Sequence, residues 1–373
     1  LEIIFRTTHL FGARTSWSVP DSVLGWRFVP NSTYQNFKEN SHPVTWSTNR
    51  CGWKDKDWAL EKPKGMYRIA VLGDSFVEGM QVEDEHHFLT LAENQLNEKS
   101  PFKFEFMNFG RSGFTQTEEL LVLQKDVLAF SPDAVMLFFF SPNDIADVRR
   151  QTAPDIIRPF YTLSGNGKLV LNTGFKNSTA FKLKTLIAPF KHHSVFISFL
   201  TERLTLYRDL RRIKKLQGNT VSKIKLLPYL TLATQKPDPG FSQNYQLNKR
   251  LIKEIAKICK LHGMKFILVN IATPAYLPEM ELRYKSLDPT FDPNFFDKDM
   301  KLLADSMGAG FIGLQNIFHD IYQKENKDLN WEFSGNPEDR NNPMEIGHWN
   351  YEGHKLIGKI LGDKFKKEAV SSL

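Results

Sequence analysis

The chain has 373 residues, long for one domain and short for three, which points to one domain carrying sizeable additions. With 41% hydrophobic and 24% charged residues, it is excluded from the disordered class. A formal net charge of +7 favours anionic surfaces such as phospholipid headgroups, acidic polysaccharide or nucleic acid, without choosing among them.

Residues 1–65 read as an N-terminal arm. The chain opens abruptly on Leu1-Glu2-Ile3-Ile4-Phe5-Arg6, and a preceding membrane helix or signal segment is the expectation there. Nothing within the chain itself is long and apolar enough to cross a bilayer. Leu24–Asn31 and Val44–Asn49 read as short extended pieces, and Pro63-Lys64-Gly65 closes the arm. From 66 to 373 an α/β rhythm predicts the main domain. Strands are predicted over Tyr67–Leu72, Lys103–Phe109, Ala134–Phe140, Lys265–Asn270 and, more weakly, Gly310–Leu314. Helices are predicted over Asp84–Asn97, Thr117–Ala129, Gln243–His262 and from Tyr351 onward. An insertion over residues 147–242 interrupts the rhythm. Within it, Arg158–Phe175 reads as a hairpin around Ser-Gly-Asn-Gly. Thr179–Leu216 reads as a basic helical stretch that Pro189 should break or kink, and 217–242 as loop. The two cysteines, Cys51 and Cys259, form no C-x-x-C pair, which excludes zinc ribbons and thioredoxin-like redox chemistry. Cys259 reads as a small buried hydrophobe; a Cys51–Cys259 disulfide stays open.

Ligands of an open parallel sheet bind at the carboxyl ends of its strands, and four polar signals fall at such ends or in comparable loops. Gly73-Asp74-Ser75 follows the first strand, where a hydroxyl can project from a tight turn. Such a triplet arises by chance in roughly one chain in ten, and alone it reads equally as a turn with an N-cap. Met107–Phe114 follows the second, and its Gly113 can present an unobstructed N–H. Ser141-Pro142-Asn143-Asp144 follows the third; the Asn143 amide can donate to an oxyanion or simply close an Asx turn. Glu345-Ile-Gly-His348 precedes the last helix. A serine hydroxyl needs a base to become nucleophilic, and the base needs an orienting acceptor, for which Glu345 has the right chemistry.

Taken together, in this order and at these places, the four blocks resemble those of the SGNH or GDSL hydrolases: Gly-Asp-Ser, a glycine after the second strand, an asparagine after the third, and Asp-x-x-His near the C-terminus. The resemblance covers about residues 66–146 and 243–365. It implies an α/β fold, a flavodoxin-like three-layer α/β/α sandwich around a central parallel sheet, with no metal and no cofactor. It implies Ser75 as nucleophile, His348 as base and Glu345 as the third member. The oxyanion hole would be the N–H groups of Ser75 and Gly113 and the side chain of Asn143. The chain departs from the pattern twice. Phe140-Ser141-Pro142-Asn143 lacks the family's usual glycine, and Glu345 stands where the family has Asp, so a Ser-His dyad stays open. The His-Trp-Asn ending and the arm's Gly-Trp-Arg are similar to membrane-linked bacterial members, including enzymes that move acetyl groups on exported polysaccharides, which implies an extracytoplasmic location. Ester hydrolysis leads; acyl transfer to a sugar by the same residues and a non-catalytic surface-binding module are its rivals.

Other residues read structurally. Asp74 shapes the turn, His354 packs or caps, and the pairs His86-His87 and His192-His193 are poorly spaced for one metal. In the insertion, Leu183, Leu186, Phe190, Ile197 and Leu200 can share a face, with Lys182, Lys184, Lys191, Arg203 and Arg208 elsewhere. Two readings stay open: a helical cap with a solvated basic face, or a lid or anionic-membrane element that admits an acyl substrate. Nucleic acid is not expected as a partner, since no recognised module is present.

Overall fold

The computed structural model describes residues 2–8, 17–36, 43–98, 103–201, 203–204, 207, 228–332 and 346–371. Five strands, β1 (Met66–Gly73), β2 (Lys103–Gly110), β3 (Ala134–Phe139), β4 (Lys265–Asn270) and β5 (Gly310–Gly313), form one parallel sheet in the order β5-β4-β3-β1-β2. This is the flavodoxin-like order. Its cause is an alternation that is apolar on both sides. Ala70, Leu72, Met107, Phe109, Val135 and Leu137 join one apolar cluster. Their neighbours Ile69, Val71, Phe106, Met136 and Phe138 join a second. A strand buried this way must have helices over both faces.

The helices that matter for the site are α1 (Ser75–Glu78), α2 (Phe88–Asn97), α3 (Gln116–Lys125), α4 (Ser141–Asp147), α5 (Pro239–Leu261), α6 (Phe295–Met307), α7 (Gln315–Glu325) and α8 (Tyr351–Ser371). Through residues such as Leu120, Leu251 and Met300, helices α3, α5 and α6 cover the first face. Through Phe88, Phe318 and Leu361, helices α2, α7 and α8 cover the second. The fold is a three-layer α/β/α sandwich.

All five predicted strands lie where the apolar runs placed them. The helices differ more. The run from Asp84 opens with a 3₁₀ turn, and His87 then N-caps α2 by accepting the Leu89 N–H. Helix α3 stops at Lys125 and a 3₁₀ turn, Val127–Phe130, follows. The helix Thr179–His193 continues through Pro189, contrary to the expected break. Pro189 and Thr185, whose carbonyl loses its donor, are both exposed, so water can take the missing bond. Helices α4, α6 and α7 and the helix Pro278–Leu287 were not anticipated, and the stretch read as loop over 217–242 carries a short helix, Pro228–Leu232, and the start of α5 at Pro239, where Asp238 caps it by accepting the Phe241 N–H. The expected hairpin is present as Phe160–Leu163 paired with Leu169–Asn172. Both cysteines are free, Cys51 exposed and Cys259 buried under the first face, so the open disulfide question is answered against the bridge. Of the Thr179–Leu216 stretch, Arg208 lies outside the described residues.

The arm pairs Ser18–Asp21 with Gly25–Phe28 and Thr33–Asn36 with Val44–Ser47, both antiparallel. Its Trp53 and Trp58 pack on Phe109 with ring centroids 5.2 and 4.8 Å away. Strand β2 is a sheet edge, and side chains close it. The N–H groups of Phe104, Phe106 and Asn108 donate to Asn97 Oδ1 (2.8 Å), Glu93 Oε2 (3.0 Å) and Asp55 Oδ2 (2.7 Å), which removes the free template an edge would offer. Burial pushes the Asp55 carboxyl up to about 7. The arm also touches the insertion: a Cβ on Gly25, which has φ +90°, would lie 3.1 Å from Arg158 Cα.

Two histidines are buried behind α1. His354 Nδ1 accepts the Phe88 N–H at 3.1 Å, and His87 Nε2 lies 3.1 Å from the Val77 carbonyl. Burial, then the charges of Lys54 and His348, lower His354 to about 3; burial also holds His87 well below its ordinary value. The unfolded chain therefore takes up protons below pH 6.5 that the folded one refuses, and stability should fall as pH drops from 6.5 toward 3. For His354 the shift is worth on the order of 4–5 kcal/mol at most. His354→Gln, which can still accept the Phe88 N–H, should flatten part of this acid limb in urea melts taken between pH 7 and 4. An unchanged limb would count against the assignment.

Candidate active site

Strand β1 delivers Gly73-Asp74-Ser75 to the carboxyl edge of the sheet. Asp74 is the N-cap of α1 and accepts the Phe76 N–H at 2.9 Å, which orients the short helix behind Ser75. Two glycines let that helix lie close to the strands. A Cβ on Gly73 would stand 3.0 Å from Val77 Cβ, and one on Gly110, at the end of β2, 2.7 Å from the Val77 carbonyl carbon. Val77 O receives the Asn108 Nδ2 donor at 3.0 Å, which ties the helix to β2.

His348 comes from the other end of the chain. It sits on the strand Ile346–Trp349, which pairs antiparallel with Asn330–Glu332. Trp349 is buried in the second cluster, with ring centroids 5.5 Å from Phe88 and 6.2 Å from Phe138. Strand alternation turns its neighbour the other way. The His348 ring rests against Phe76 at 4.8 Å, and its Nε2 lies 2.6 Å from Ser75 Oγ. Ser75 and an imidazole 273 positions away are thus within hydrogen-bonding reach.

The loops after β2 and β3 are each tied to the Ser75 turn. Ser112 Oγ donates to Glu78 Oε2 of α1. Asn143, on α4, donates from Nδ2 to Asp74 Oδ2 at 2.9 Å. That bond uses one of the two amide hydrogens and leaves the other. Gly113 has φ +74° and open space where a Cβ would be. Neither the Ser75 nor the Gly113 N–H has an acceptor among the described residues. Ser75, Gly113, Asn143 and His348 are all partly exposed while Asp74, Phe114, Asp144 and Trp349 beside them are buried. Each of these turns thus exposes a polar group at the carboxyl edge of the sheet. Glu345 lies outside the described residues.

No protein-family model and no curated protein matches the chain. Solved structures do. An acetyl xylan esterase is similar at a TM-score of 0.42 and 15% identity, covering 78% of this chain and 96% of that one. A GDSL-like lipase from Bacteroides thetaiotaomicron is similar at 0.38 and 14%, covering 83% and 93%. An acetyl-xylooligosaccharide esterase from Geobacillus is similar at 0.39 and 13%, covering 79% and 91%. These are likenesses of architecture at low identity.

Sequence reading missed the acids behind this surface. Asp144 is buried and accepts from Phe140 N (2.8 Å) and Gln116 Nε2 (2.9 Å). Burial and then the Asp74 charge push its carboxyl well up. Burial and then the charges of Asp144, Asp74 and Glu118 do the same to Glu119. Asp74 itself is raised by burial, against the pull of the Asn143 and Phe76 donors and the His348 charge. The signal for Glu118 and Glu119 was two adjacent acids at the start of an apolar helical run. Among the described residues no group of three or more His, Cys, Asp or Glu could hold a metal ion.

The two glycine substitutions separate crowding from backbone strain. Gly113→Ala meets open space and only the left-handed φ, so it should cost about 1 kcal/mol. Gly110→Ala drives a methyl into the α1 backbone and should cost several-fold more, on the order of 2–3 kcal/mol as an overpacking lesion. Urea unfolding of the two variants reads the difference; equal losses would mean the α1 contact is loose.

Proposed function

We propose that this protein is a serine hydrolase of the SGNH or GDSL type that cleaves acyl esters through an acyl-Ser75 intermediate. The observation that carries it is the 2.6 Å contact between Ser75 Oγ and His348 Nε2 at the carboxyl edge of a parallel sheet. In this reading His348 takes the Ser75 proton as Oγ attacks the ester carbonyl carbon. The tetrahedral oxyanion accepts from the N–H groups of Ser75 and Gly113 and from the second Asn143 amide hydrogen. His348 returns its proton to the leaving alkoxide, then deprotonates the water that releases the acid. Asp74 holds the Asn143 amide in place, and Glu345 is the proposed orienting acid for His348.

A second reading concerns where the enzyme works, and exposed apolar residues favour it. On the helix Thr179–His193, Leu183, Leu186 and Phe190 are 53%, 68% and 59% exposed, with Lys182 and Lys184 also exposed and no acid anywhere in the helix. The helix Glu2–Thr8 lies beside this region: Glu2 accepts from Ser194 Oγ at 2.6 Å and from the Val195 and Phe196 N–H groups. Its Ile3 and Ile4 are exposed. Apolar side chains flanked by cations suit an anionic bilayer surface, and we place the enzyme against such a surface outside the cytoplasm. No helix among the described residues is long and apolar enough to cross a membrane.

A fluorophosphonate should label the protein on Ser75, and Ser75→Ala should abolish labelling. His348→Ala should lower p-nitrophenyl acetate turnover on the order of 10³-fold or more. A wild-type protein that is neither labelled nor active on short esters would overturn the hydrolase reading. Flotation with phosphatidylglycerol-containing vesicles tests the second: the protein should co-float, and the pair Leu186→Glu and Phe190→Glu should release it without loss of ester turnover. Equal flotation by the pair variant would refute the surface role.

A further inference from the structure

We propose that Arg158, supplied by the insertion, is a positioning residue for the oxyanion hole: its guanidinium holds Gly113 so that the Gly113 N–H points at the developing charge. The proposal rests on the hydrolase reading and adds a residue from outside the four motif blocks. The Arg158 side chain is 9% exposed and that of Glu118 is fully buried. Nε and Nη2 of Arg158 donate to the two Glu118 oxygens at 2.6 and 2.5 Å, and Nη1 donates to the Gly113 carbonyl at 2.6 Å. Glu118 is itself fixed, because it closes the capping box of α3 by accepting from Thr115 N and Thr115 Oγ1, both at 3.1 Å. The planar fork is therefore located by its acid partner, and its third edge meets the loop.

Gly113 needs an outside hold. It has a left-handed φ and nothing within 4 Å of where a side chain would begin, so no side-chain packing of its own restrains it, and glycine visits more backbone conformations than any other residue. An oxyanion donor works only when its direction is set before the charge forms. The residues before Gly113 are fastened from elsewhere: Arg111 donates to the Gly52 carbonyl at 2.8 Å and Ser112 to Glu78. The peptide after Gly113 is held at both ends: its N–H, from Phe114, closes a turn on the Arg111 carbonyl at 3.0 Å, and its carbonyl takes the Arg158 bond. The Arg158 bond adds a restraint on ψ from outside the turn, against swinging of the flanking peptides. The arm backs the arrangement, since Gly25 lies against Arg158 Cα. A lysine at 158 would keep a charge for Glu118 but has no fork with which to hold both partners.

The test compares wild type with Arg158→Lys and with the charge-neutral pair Arg158→Met and Glu118→Gln, which leaves no buried carboxylate unpaired if the lysine variant folds poorly. With p-nitrophenyl acetate, kcat should fall tenfold to a hundredfold with KM within about threefold and the pH profile of kcat/KM unmoved. Amide hydrogen exchange should accelerate at least tenfold in a peptide covering 110–116 and stay unchanged in one covering β1. A variant that folds and keeps kcat within twofold, or one whose loop exchange does not change, overturns the proposal. So does a fall confined to KM. If the wild type itself turns over no ester and takes no fluorophosphonate, the hydrolase reading fails on its own terms, and the exchange experiment still decides whether Arg158 holds Gly113.

Discussion

The short helix after Ser75 lies against the ends of two neighbouring strands at a separation that no residue with a side chain allows. Gly73 and Gly110 face it from β1 and β2, and the arrangement around it follows from that closeness. Asp74 can cap the helix and still reach Asn143. Glu78 can reach Ser112. Phe76 meets the His348 ring, which sits where Trp349 anchors its strand in the core below. A bulkier turn would lift Ser75 away from all three loops at once, because each is tied to the turn by only a few hydrogen bonds and ring contacts.

Charge is distributed around this turn in a way a stability argument alone does not explain. Arg111 is buried in a box made by Trp26, Phe28, Trp53 and Phe114, with its guanidinium carbon 4.0 Å from the Trp53 ring centroid, and burial lowers it to about 10. Arg158 and Glu118 form a buried ion pair. Buried ion pairs are often no better for stability than well-packed apolar residues of the same size, because desolvation offsets the Coulomb gain. Their directional hydrogen bonds are what an apolar core lacks. Both arginines act on the same stretch, Arg111 from within it and Arg158 across from it, and additions to the sheet take part in both: the arm encloses Arg111, and the insertion supplies Arg158. The additions thus serve the loop after β2 as well as the sheet they pack against.

The central strands were readable because each is buried on both faces, which forces an apolar run that no surface segment imitates, whereas the edge strand Gly310–Gly313 is only partly buried and gave a weaker run. The three strand-end turns were readable because glycine, serine and asparagine there break those runs. Helix α4 was not, since Ser141-Pro142-Asn143-Asp144 is as good a turn as it is a helix start. Pro189 does not break its helix, because a proline breaks an exposed helix less surely than its missing donor suggests. The contact of Asp74 with Asn143 joins positions 69 apart, and no local pattern encodes it. Arg158 stands in an irregular stretch as one basic residue among many.

The sequence by itself determined which segments would become the sheet and which polar residues would stand at its carboxyl edge, because burial on two faces and the turn preferences of small residues are local properties. The tertiary structure alone decided the partners: that His348 meets Ser75, that Asp74 holds Asn143, that Arg158 reaches Gly113, and that Leu186 and Phe190 remain uncovered. Those outcomes depend on how far apart the ends of five strands come to rest. That distance is set by packing summed over the whole core, which no window of sequence contains.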